Sequence, residues 1–102
     1  MKYVLFFEST DAVEALKREK KLQEISKKVK EEDKKMKALT PVYTYADLSG
    51  GLEIIETDDI EEIVGLVSYF SGAVNYKVIP IIEKDRLVEI ADDVAKEVAK
   101  LS

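Results

Sequence analysis

Two Asp-x-x-Glu signals, Asp11 with Glu14 and Asp58 with Glu61, each follow a run rich in β-branched and aromatic residues. This recurrence constrains the fold more than any other feature. An acidic N-cap followed three residues later by Glu resembles a capping box, so each signal marks a strand running into a helix. The first strand reads "KYVLFFE" from Lys2 to Glu8, and the third reads "LEIIET" from Leu52 to Thr57. A further strand, "AVNYKVIPIIE", follows the second helix. Pro80 near its middle predicts an edge position or a bulge, because proline cannot donate to a central ladder.

The helix after Asp11 is predicted to continue to about Ala38, with Val13, Leu16, Leu22, Ile25, Val29 and Met36 as a broken apolar stripe. Residues 17–37 hold ten Lys/Arg and five Asp/Glu, so this stretch is basic in a chain whose formal charge is -5. "TPVYTYADL" is read as the second strand. In the second helix Ile60, Ile63, Val64, Val67 and Phe70 or Ser71 trace one face, and Gly72 is placed as its stop. Gly50 and Gly51 are read as a hairpin turn supplying positive φ, since no phosphate-loop spacing surrounds them. From Arg86 to Leu101 the apolar residues Leu87, Ala91, Val94, Val98 and Leu101 alternate at spacings of four and three, an amphipathic helix.

The order β-α-β-β-α-β plus a terminal helix predicts a single ferredoxin-like α+β domain over residues 1–102, with two helices on one face of the sheet. The strands are apolar on both faces. Strand one offers Tyr3, Leu5 and Phe7 on one side, and Lys2, Val4, Phe6 and Glu8 on the other. A solvated second face would be polar at alternate positions, so a second subunit, the C-terminal helix or both are expected to cover it. A homodimer or higher even oligomer follows. Two such sheets face to face would form a barrel-like assembly with polar exceptions lining any cavity between them. Those exceptions, Glu8, Glu53, Asn75 and Lys77 with Tyr43 and Tyr45, are the candidate ligand-binding residues. Each has a plainer reading as a cross-strand or surface group of small energetic worth.

Cys, His and Trp are absent. Disulfides, thiol nucleophiles, His general bases, Cys/His zinc sites and His-ligated haem are thereby excluded. No cofactor and no metal are expected, and no catalytic residue can be assigned. The lack of a long apolar run and of a secretion signal predicts a cytoplasmic protein without a membrane segment. Few amides and many Lys and Glu are compatible with life at high temperature.

"MKYVLFFE", "GGLEIIETDDIEEI" and "VNYKVIPIIE" together resemble a family of small, functionally uncharacterised proteins. The resemblance implies a ferredoxin-like subunit that pairs into a dimeric α/β barrel. The long basic helix and the C-terminal helix are its departures from that family. Related barrels include haem-degrading and quinol-type monooxygenases reliant on pocket His, Asn or Trp, and here only Asn75 is present.

A small dimeric protein binding a small molecule between subunit sheets is the reading these features favour. The alternative is a small cofactor-independent enzyme, an isomerase or monooxygenase-like protein, using Glu8, Glu53, Lys77 and a tyrosine. Nucleic-acid binding through the Lys-rich helix is weakened by its interrupting acids and the lack of interleaved aromatics.

Overall fold

A computed structural model describes residues 1–101. The central strand β1 (Lys2–Ser9) pairs antiparallel along its length with β4 (Gly50–Thr57) on one side and β5 (Val74–Ile81) on the other. β2 (Met36–Ala38) and β3 (Tyr43–Thr44) share the outer side of β4, so the strand order is β2-β4-β1-β5, with β3 beside β2. This is the ferredoxin-like α+β arrangement, its second strand divided in two. Pro80 lies on β5 at the sheet edge, where its missing N–H is tolerated.

The register sorts side chains by parity. Tyr3, Leu5 and Phe7 share the helix-covered face with Ile55, Tyr76 and Val78; Leu5 is fully buried and Ile55 nearly so. Helix α2 (Ile60–Tyr69) seals this core with buried Ile63 and with Leu66 and Val67 packed beside it. Asp59, one residue later than the sequence signal suggests, caps α2 by accepting from the Glu61 N–H at 3.0 Å. Its end is set by Gly72, whose φ of +88 suits only glycine without strain.

Helix α1 (Ala12–Lys27) opens at the expected cap, with the Asp11 carboxylate accepting from the Glu14 N–H at 3.1 Å. It ends eleven residues before Ala38, which corrects the long-helix expectation. From Lys28 to Lys35 only Val29 is apolar, so a continued helix would have had no face to bury. A 3-10 turn at Glu31–Asp33 redirects the chain instead. The buried Thr57 hydroxyl donates to the Lys35 carbonyl at 3.0 Å, and Met36 then enters β2. Pairing there satisfies the outer edge of β4, a tertiary gain that overrides local helix preference.

Pro41 separates β2 from β3. Across this gap the Thr40 hydroxyl accepts from the Ile54 N–H at 3.0 Å, standing in for a strand carbonyl. Gly50 and Gly51 are not the turn: both are buried strand residues. A Cβ on Gly50 would collide with the Phe7 carbonyl, and one on Gly51 with that of Tyr43. The left-handed residue is Leu48, with φ of 63, in a turn closed by Leu48 N–H donating to Tyr45 O at 2.9 Å. Asp47 steadies it by accepting from the Ser49 hydroxyl at 2.6 Å, which holds the Asp47 carboxyl below its ordinary range.

The opposite sheet face carries Val4, Phe6, Leu52, Ile54, Ile79 and Ile81, every one half-buried and none fully buried. No helix of the described chain covers it. Helix α3 (Lys84–Lys100) is exposed at every residue. The radius of gyration is 17.7 Å, against about 13 Å for a compact chain of this length. The 59 Å long axis reflects α3 standing out from the domain.

Candidate functional site

Helix α1 has no buried residue; it meets the rest of the domain through Ala15, Arg18, Leu22 and Ser26, all half-buried. Arg18 fixes its position. The guanidinium donates to the Tyr69 carbonyl at 3.1 Å and the Ser71 carbonyl at 2.7 Å, and the Tyr69 hydroxyl donates back to the Arg18 carbonyl at 3.0 Å. A cation placed on the last carbonyls of α2 also complements that helix's dipole. Clamped to the end of α2 in this way, α1 stands off the sheet.

The space beneath it is a cavity of about 410 Å³. Phe7, Leu22, Ile55, Leu66 and Phe70 supply its apolar walls, while Glu19, Glu53 and Tyr76 bring the acidic and phenolic groups. Glu53 is half-buried on β4, in register with Leu5 of β1. Burial raises its carboxyl above the ordinary glutamate value, and the Glu19 charge adds to the rise. Burial likewise pushes the Tyr76 phenol up to about 12, with Glu53 and then Glu19 as further causes. Lys34 is the single cation among the lining residues, and it is paired with Glu31 at 3.0 Å. Among the described residues, no protein group hydrogen-bonds the Glu53 carboxyl or the Tyr76 hydroxyl.

An apolar chamber with a carboxyl, a phenol and a second carboxylate can hold a proton, donate hydrogen bonds or balance a cation. It repels anions. No group of three or more His, Cys, Asp or Glu that could hold a metal occurs among the described residues.

Four of the residues expected at a site come together elsewhere. Glu8, Tyr45, Asn75 and Lys77, with Phe6, Phe7, Ser49 and Tyr76, line a shallow cleft of about 420 Å³ at the Glu8 end of the sheet. Glu8 stands directly across from Asn75, and Lys77 across from Phe6. Tyr43 is exposed on β3 opposite Leu52 and lines neither cavity. Glu53 does not join them. The expectation that it shares a face with Glu8, Asn75 and Lys77 is corrected by the register, which places Glu53 level with Leu5 and hence under the helices.

Tyr76 and Glu19 were not anticipated. Glu19 had a signal: it falls four residues after Ala15 and three before Leu22, on the side of α1 that faces the sheet. Tyr76 had none, because only the β1–β5 register shows that it shares a face with Glu53.

The fold and these two concavities define a ferredoxin-like α+β protein with a cavity under its first helix. The family described as Domain of unknown function (DUF3303) matches residues 1–95, and the chain belongs to it. No curated protein and no solved structure matches. The family match runs well into α3, so this helix is mostly part of the family domain and not the departure expected from the sequence. The other expected departure shrinks as well, since α1 is a helix of ordinary length. No described helix is long and apolar enough to cross a membrane.

Proposed function

We propose that the chain binds a small apolar molecule carrying an amino group, in the cavity beneath α1, with Glu53 as the counter-charge. The observation that carries this reading is the unpartnered Glu53 carboxyl in a largely apolar chamber whose ionisable groups are otherwise Tyr76, Glu19 and the Lys34–Glu31 pair, with Ser9, Gln23 and Ser26 as neutral polar lining. A half-buried carboxyl whose pKa is raised by desolvation and a like charge is relieved by a cation. The apolar walls supply the contact area that a ring or short chain would use. The small-molecule reading thereby moves with Glu53 from the space between sheets to the space under the helix, and the open face is left for self-association.

Titration calorimetry with three matched probes tests the proposal: benzylamine, benzyl alcohol and benzoate. Benzylamine should bind best and benzoate worst. Equal binding of all three, or a preference for benzoate, would remove the electrostatic basis of the assignment. An enzymatic role would draw on the same pair, Glu53 and Tyr76, as proton-handling groups. The grouping of Glu53 with Glu8 and Lys77 is not formed.

A further inference from the structure

Each chain presents two apolar surfaces with nothing against them. On α3, Leu87, Ala91, Val94, Val98 and Leu101 form a continuous stripe, widened by Val88 and Ile90, and all are exposed. On the sheet, the six side chains from Val4 to Ile81 described above form an apolar centre with Lys2, Glu8, Glu56 and Lys77 around it. We propose that these surfaces belong together across a two-fold axis. The α3 helix of one protomer lies on the open sheet face of the other, and the exchange is reciprocal.

The dimensions agree. A helix of 17 residues is about 26 Å long at 1.5 Å per residue. A strand of 8 residues, as in β1, β4 and β5, is also about 26 Å long at 3.3 Å per residue, and the apolar open-face positions, from the level of Ile81 to that of Phe6, occupy about half of it. The six sheet side chains occupy three adjacent strands, whose axes span about 10 Å. That width is covered by one helix, about 10–12 Å across with its side chains.

The outer side of α3 is already finished for water. Arg86 pairs with Glu89 at 2.8 Å, Lys96 with Asp92 at 3.0 Å and Lys100 with Glu97 at 3.3 Å, all within the helix. The apolar stripe is exposed along its whole length. An isolated helix of this length is marginal in water, so its persistence calls for tertiary contact.

The root of α3 directs it outward. Only Ile82 and Glu83 separate it from β5, and Glu83 is held by the Lys2 ammonium at 3.0 Å on the open-face side. A second copy is the occupant because the same chain carries both complementary surfaces. Two-fold exchange leaves neither exposed. Six apolar residues of α3, its capping Leu101 and six residues of the sheet enter from each chain. With their charged borders they approach the roughly 20–30 residues per side of a stable interface. Each protomer then becomes a three-layer sandwich whose outer helix is borrowed. This rests on the self-association assigned to the open face.

The absence of cysteine allows a clean test in this chain. Val94→Cys, Val4→Cys and Ile54→Cys are made separately, checked by circular dichroism, and mixed pairwise under mild oxidation. The proposal expects a disulfide between the Val94→Cys chain and at least one sheet variant, at twice the 11.5 kDa chain mass. Linkage of sheet variants only to themselves would show sheet-on-sheet packing and overturn the exchange while leaving the dimer. Linkage of Val94→Cys only to itself would show helix-on-helix pairing, with the same consequence. Closure within one chain of a Val4→Cys/Val94→Cys double variant would show packing in cis. A wild-type chain that sediments as a monomer would remove the self-association as well. Val94→Asp/Val98→Asp, which alters only exposed positions, should convert the dimer to folded monomer; an unchanged dimer would contradict the proposal.

Discussion

Glu53 stands level with Leu5 across the β1–β4 ladder, a half-buried carboxyl beside a side chain with no solvent exposure at all. Charge at that position is unfavourable in the folded chain. The Glu53 carboxyl is raised from 4.5, so folding is opposed by its ionisation above that pH. Below about 4.5 both folded and unfolded chains hold the proton and the opposition vanishes. Glu53→Gln should therefore raise the melting temperature at pH 7, and the gain should close as the pH falls below the unfolded value. Thermal melts of both proteins from pH 3 to 8 check this (about five points suffice).

Arg18 holds α1 to the end of α2 through two backbone carbonyls. Arg18→Ala leaves both without their charged donor and should cost about 2 kcal/mol, judged from hydrogen bonds to charged groups. Arg18→Lys should recover only part, because a point charge cannot span two carbonyls as a planar guanidinium does. Urea unfolding of the three proteins measures the difference. Full rescue by lysine would show that charge alone sets the position of α1.

The glycines of β4 and Leu48 before it predict opposite signs. Gly50→Ala places a methyl on the Phe7 carbonyl and should destabilise by about 3 kcal/mol or more, as overpacking against backbone does. Leu48→Gly relieves a left-handed residue that is 77% exposed and loses no packing. Relief of roughly 1–2 kcal/mol, less the backbone entropy cost of glycine, should leave a net gain of about 0.5–1 kcal/mol. Denaturant midpoints give both values.

Thr40→Val removes the hydroxyl that accepts from Ile54 N–H where Pro41 breaks the outer strand. The expected cost is about 1–2 kcal/mol for an unmet donor. Faster amide exchange at Ile54 in the variant would locate the loss.

Much of this fold was legible in the sequence. Strand β1, strand β5, the cap at Asp11, the stop at Gly72 and the terminal helix follow from patterns within a few residues. The misread elements depend on partners distant in the chain. Met36 reads as a helical position until Thr57 and the bare edge of β4 draw it into β2. Gly50 and Gly51 read as a turn until Phe7 and Tyr43 are seen to approach them. Of the site residues named from the sequence, only Glu53 lines the cavity beneath α1. Glu8, Tyr45, Asn75 and Lys77 do meet, but the face of Glu53 turned on register, where one residue's shift exchanges the two sides of a strand.

Calorimetric titration of benzylamine into the wild-type protein and into Glu53→Gln at pH 7 measures what the carboxylate contributes to binding. A charge-assisted contact is worth about 1.5–3 kcal/mol, so loss of the carboxylate should weaken binding about tenfold or more. Gln preserves the shape of the side chain, and benzyl alcohol should bind the two proteins alike. Equal benzylamine affinity in both proteins would take Glu53 out of the site.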